Sequence, residues 1–171
     1  MKVKSIILVL FIVCVSSASY SQTNKGNWIV SGSSTLQVTN NKFEGGDDGA
    51  TTVILSPSIG YFVANNLSLG VAMTLMTSEG TTAISVLPTA SYYIETQSQL
   101  KPFIDLGIGY SSISDDEDTY GGLAIGAGVG IMYELNKNVG LNIGLQYLRS
   151  DYSEIGVANT IGGMIGFSIF F

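Results

Sequence analysis

The sequence contains no histidine, one cysteine and three prolines, and only 12% of its 171 residues are charged. Without histidine there is no Ser-His-Asp triad and no His-bearing zinc site. Charged residues stand at about half the usual share of roughly 25%. Seven basic residues against thirteen acidic ones give a net charge of −6, which repels phosphate and excludes a nucleic-acid-binding module. Disorder is excluded as well, because 46% of the chain is apolar and such a composition buries itself. Long apolar runs are also missing: the longest, Ile6 to Val15, covers ten residues, half of what a spanning helix needs. The length predicts one domain.

That short run has a use. Lys2 and Lys4 precede it, and the small residues Ser16-Ser17-Ala18-Ser19 with Ser21 follow it. This is the layout of a secretory signal peptide, so residues 1–21 are expected to be removed after Ser21, with Ala18 as the alternative and an uncleaved anchor as the competing reading. The lone Cys14 follows Val13 rather than a small residue, which speaks against a lipid-modified cysteine. The mature chain, residues 22–171, then has no thiol chemistry. Five basic and thirteen acidic residues remain, for a net charge of −8.

The remainder repeats with a period of two. Val139, Leu141, Ile143, Leu145 and Tyr147 alternate with Gly140, Asn142, Gly144, Gln146 and Leu148. Two-faced strands carry this pattern. The same alternation predicts eight strands, near 27–39, 51–63, 67–78, 82–95, 100–113, 120–135, 139–150 and 155–171. Short turns (64–66, 95–99, 136–138) alternate with connections that are mostly longer and acidic (40–50, 78–81, 113–119, 149–154). An even number of strands, short turns at one end and long loops at the other predict an all-β, eight-stranded antiparallel up-and-down transmembrane barrel. Aromatic residues gather at both ends of the strands. Trp28, Tyr61, Phe62, Tyr92, Tyr93, Phe103, Tyr133 and Phe171 fall at the short-turn end, and Tyr110, Tyr120, Tyr147 and Tyr152 at the other. They are expected to form girdles at the two lipid interfaces.

The segments Tyr61-Phe62-Val63-Ala64-Asn65-Asn66-Leu67-Ser68-Leu69-Gly70, Pro102 to Tyr110 and Gly126 to Gly130 resemble small outer-membrane barrels of the outer-membrane protein X, W and A type. The resemblance implies a porin-like barrel in the outer membrane of a Gram-negative cell. The ending Ile165-Gly166-Phe167-Ser168-Ile169-Phe170-Phe171 resembles the terminal signal read by the outer-membrane insertion machinery. Gly166 and Phe171 match that signal, whereas Ile169 stands where an aromatic is usual. The enzymes built on this barrel rely on histidine and serine, so the absence of histidine removes their mechanism.

Other readings compete. A soluble lipocalin-like binding barrel would turn the Leu/Ile/Val stripe inward and leave a Gly/Ser/Ala surface nearly free of charge, which makes a poor soluble surface. Residues 155–171 carry no charge and contain Gly162-x-x-x-Gly166, a packing motif of membrane helices, but their glycines fit a two-residue period. Gly126-x-Gly128-x-Gly130 lacks the spacing and following helix of a nucleotide loop.

Charged residues are few enough to place singly. Asp105 and Glu134 fall on the small-residue stripe of adjacent strands, and Lys101 is the nearest base. They read as a polar plug in a filled lumen, or as a proton- or cation-handling pair. Asp115, Asp116, Glu117 and Asp118, with Glu44, Asp47 and Asp48, form an acidic outer rim. Such oxygen-rich loops can meet divalent ions and lipopolysaccharide, but the run lacks the spacing of a calcium loop, and a solvated surface is the default. No cofactor and no catalytic residue are expected. The leading functional expectation is a side-chain-filled barrel that stabilises the envelope or presents acidic loops. A passive channel for small or apolar solutes is the alternative.

Overall fold

The computed structural model describes residues 22–36, 53–78, 81–114, 118–152 and 156–171. Eight strands follow one another: β1 Trp28–Leu36, β2 Val53–Ala64, β3 Leu67–Ser78, β4 Thr81–Tyr93, β5 Leu100–Ser114, β6 Thr119–Asn136, β7 Val139–Tyr152 and β8 Gly156–Phe170. Each pairs antiparallel with the next, and β1 pairs with β8, closing the barrel. At the seam Trp28 and Phe171 exchange both backbone hydrogen bonds, at 3.0 Å each. Closure gives every strand two neighbours, so no edge is left to pair with another chain.

The alternation decides the two faces. Leu, Ile and Val of the first stripe point outward: Ile161 is 69% exposed and Ile143 63%, while Phe62 on the other stripe is fully buried. The molecule is apolar outside and polar or tightly packed inside, the inverse of a soluble barrel. The lipocalin-like reading falls with this orientation. In lipid such a surface is required, and the closed ladder satisfies the backbone where no water can.

Small residues on the inner stripe let a narrow barrel curl. Gly60 and Gly70 face each other across β2 and β3, and a Cβ on Gly70 would lie 2.7 Å from Gly60 Cα. Larger side chains at such pairs would push the strands apart.

The girdle assignment needs correction. Trp28 and Tyr61, with ring centroids 5.2 Å apart, together with Tyr92, Tyr133 and Phe171, do face outward at the short-turn end. Phe62, Tyr93 and Phe103 do not; they are buried inside. The cause is parity, since each lies one residue from an outward neighbour. Tyr152 is likewise buried. Its hydroxyl lies 3.1 Å from Ser111 Oγ, which accepts from Ser85 Oγ at 2.8 Å. At the outer end Tyr147 is turned toward the outer face, its hydroxyl donating to Asn159 Oδ1 at 2.7 Å.

Residues 22–27, of which the alternation placed only Asn27 in a strand, lie across the short-turn mouth. Gln22 Nε2 donates to the Asn136 carbonyl. Thr23 Oγ1 donates to Asn66 Oδ1 at 2.6 Å, and Asn66 N to the Thr23 carbonyl at 2.7 Å. Asn66 closes the β2–β3 turn with φ of 66°, a left-handed conformation that costs most L-residues about 1–2 kcal/mol. Asn66→Ala should therefore lower unfolding stability by about 2 kcal/mol, the strain plus a lost hydrogen bond. Asn66→Gly should cost about half of that, because only the side-chain bonds are lost, the partly buried one from Thr23 and a long, exposed one to Glu95. Urea unfolding in detergent micelles measures both.

Candidate functional site: a layered lumen

The inner stripes of the eight strands stack into layers. Lowest, at the short-turn mouth, Lys101 Nζ lies 3.4 Å from Glu134 Oε1, with the two side chains 6% and 22% exposed. Gln22, Gln99 and Asn136 line the same recess. Lys101 sits opposite Met132 on β6, two residues from Glu134, so the pair is set by the β5–β6 register.

The next layer is apolar. Ile29, Phe62, Tyr93, Phe103, Met132 and Phe170, from six different strands, form one buried cluster, with Met164 packed against it. Phe62 stacks on Phe170 at 6.2 Å and meets Tyr93 at 5.7 Å, and Tyr93 meets Phe103 at 5.8 Å. Offset and tilted ring pairs at such distances each add about 0.5–1.5 kcal/mol beyond burial. Glycines make room for them. A Cβ on Gly130 would lie 2.6 Å from Phe103 Cζ, and one on Gly140 would lie 2.8 Å from Met132 Cγ. Much of the glycine on β6 and β7 thus has a packing role.

Beyond the aromatic layer lies a cavity of about 130 Å³, walled by serines, Thr89, Asp105 and Asn142 and by apolar groups that include Ala72 and Met164, with Tyr93 and Phe103 of the layer at its floor. Asp105 faces Gly128 on β6 and Ser91 on β4, and Ser91 is its hydrogen-bond partner. Glu134 lies six residues beyond Gly128, about 20 Å along the strand at the usual rise. The structure therefore brings Lys101 and Glu134 together and leaves Asp105 apart from both, across the aromatic layer. Further out Ile54, Leu87, Ala83 and Ala124 are buried among Ser85, Ser111 and Ser150.

The other candidate residues lie at the ends. Asp118 accepts from Tyr120 OH at 3.3 Å. Asp115, Asp116 and Glu117, along with Glu44, Asp47 and Asp48, lie outside the described residues, as does the 1–21 segment. Among the described residues no group of three or more Asp, Glu, His or Cys side chains could hold a metal. Gly166 packs so closely on β1 that an added Cβ would lie 2.8 Å from Ser33 Cα. Phe171 stands outward at the seam.

A closed eight-stranded antiparallel barrel with an apolar exterior and a polar, packed lumen defines the class: a transmembrane β-barrel of the outer membrane. The chain belongs to the outer membrane protein beta-barrel domain family, whose model matches residues 6–168. Its fold is similar to that of neisserial surface protein A, at 18% identity over 85% of this chain and 96% of that one, with a TM-score of 0.64. The N-terminal β-barrel domain of Pseudomonas aeruginosa OprF follows at 15% identity, 86% and 98% coverage and a TM-score of 0.60. Pseudomonas aeruginosa OprG is 19% identical, with 89% and 99% covered and a TM-score of 0.58. No curated protein sequence matches the chain. At these identities the likeness concerns the fold.

Proposed function

We propose that this protein is a non-conducting, non-catalytic barrel that reinforces the outer membrane and presents acidic loops outward. The observation that carries the reading is the buried layer of Ile29, Phe62, Tyr93, Phe103, Met132 and Phe170, backed by the Lys101–Glu134 pair. An eight-stranded barrel is just wide enough for its lumen to be filled by side chains. The sequence has no histidine to activate a serine, which supports a non-catalytic role. Lipopolysaccharide is the partner at the outer rim on this reading, and the insertion machinery meets the β8 strand ending at Phe171.

Solute uptake tests it. Proteoliposomes holding the purified barrel should swell in isosmotic arabinose no faster than protein-free vesicles, beside a general porin as positive control. Swelling that scales with the amount of barrel would replace this reading with a passive transporter.

A further inference from the structure

The cavity above the aromatic layer holds a carboxyl group that the polar-plug reading leaves without a basic partner. Asp105 lines it, and among the described residues no lysine or arginine reaches that carboxylate; the ion pair below engages Lys101 with Glu134. A carboxylate inside a barrel surrounded by lipid needs a counter-charge or a proton. A second, independent feature lies in the same cavity. Asn142 Oδ1 is buried and accepts no hydrogen bond. Its Nδ2 donates to Ser168 Oγ at 2.8 Å, and that hydroxyl lies 2.7 Å from Ser31 Oγ, so the amide is oriented with its oxygen left over. An orphaned buried acceptor of this kind is costly unless a ligand or water meets it.

We infer that this cavity is a binding site for a partly hydrated monovalent cation of the sodium or potassium type. Its ligands would be the Asp105 carboxylate and Asn142 Oδ1, with Ser31, Ser58 and Ser91 supplying hydroxyl oxygens from the surrounding wall. All of these are hard oxygen donors, the set that suits alkali and alkaline-earth ions and not soft metals. The charge count selects between those two groups. One carboxylate is neutralised by one positive charge, whereas a divalent ion would leave an excess positive charge inside the lumen. Water would satisfy Asn142 and a proton would neutralise Asp105 without any ion, and the cation dependence tested below separates that arrangement from a bound cation. The cavity of about 130 Å³ has room for an ion with two or three waters, given about 30 Å³ for each water. The site stands apart from the question of conductance, because a bound ion in a chamber closed below by aromatic rings need not pass through.

The test uses the purified full barrel refolded in detergent. Crystals of the wild type grown with thallium(I), a heavy stand-in for potassium, should show an anomalous peak in contact with Asp105 and Asn142 Oδ1. Asp105→Asn should lose it. In parallel, the apparent melting midpoint of the wild type should be higher in sodium or potassium chloride than in N-methylglucamine chloride of equal ionic strength, by at least about 2 °C. Asp105→Asn should erase that difference. Should that variant fail to fold, Asn142→Leu and the wild-type crystal still decide. A cavity without anomalous signal and a midpoint indifferent to the cation would overturn the proposal. So would a peak that survives Asp105→Asn, or stronger stabilisation by calcium than by sodium at equal ionic strength.

Discussion

Replacing Phe62 and Phe170 together with alanine should make the barrel both weaker and leaky. Both rings are almost completely buried and stacked on each other, and burying a phenylalanine ring that is then removed costs about 3–5 kcal/mol. The two losses should sum to less than twice that, because the rings share one contact. The functional effect follows from position. Ile29, Tyr93, Phe103 and Met132 complete the same layer, and Tyr93 touches Phe62. With both rings gone, two of the six side chains that separate the cavity above from the Lys101–Glu134 recess below are missing, and a water path between the two is the expected result. Chemical unfolding in micelles should therefore show a lower midpoint, and planar bilayers should show frequent openings where the wild type shows almost none. A variant as quiet and as stable as the wild type would mean that the layer neither seals nor supports the lumen.

The second large effect is electrostatic. Lys101 is 6% exposed and relies on Glu134 at 3.4 Å. Glu134→Gln removes the counter-charge and leaves a buried ammonium, a change that costs about 3–5 kcal/mol when the remaining charge is uncompensated. Because Glu134 itself is 22% exposed, the lower end of that range is expected. Lys101→Met combined with Glu134→Leu should behave quite differently. Removing both charges leaves nothing unpaired, and replacing a buried pair with apolar groups is often neutral or stabilising. Unfolding midpoints of the three proteins should thus rank the double variant near the wild type and Glu134→Gln well below both. Equal losses in the single and double variants would show that packing, not charge, holds this corner.

The barrel was legible because period-two alternation acts locally. Leu141, Ile143 and Leu145 announce an outward face without reference to any other strand, and closure follows from eight such segments. The strands end within a few residues of where the alternation places them, with β7 running on to Tyr152. The lumen was less legible, because its chemistry depends on height, and height is set by register between strands. Phe62, Phe103 and Phe170 are far apart in sequence and join one cluster only because β2, β5 and β8 are brought to one level by the register. The same shear separates Asp105 from Glu134, which alternation alone places on neighbouring inner stripes. One signal was present: Phe103 lies opposite Gly130 across β5 and β6, a large residue facing a missing one. The strap of residues 22–27 could not be read from alternation, since its hold on Asn66 and Asn136 uses turn backbone and side-chain amides.

Single-channel recording of the wild-type barrel in a planar bilayer tests the central claim most directly, namely that side chains close the lumen. The layered lumen predicts a flat baseline with rare, small events, against frequent stepwise openings from the Phe62→Ala/Phe170→Ala protein under the same voltage and salt. Sustained, uniform conductance steps from the wild type would mean that ions pass the aromatic layer, and would make the protein a channel.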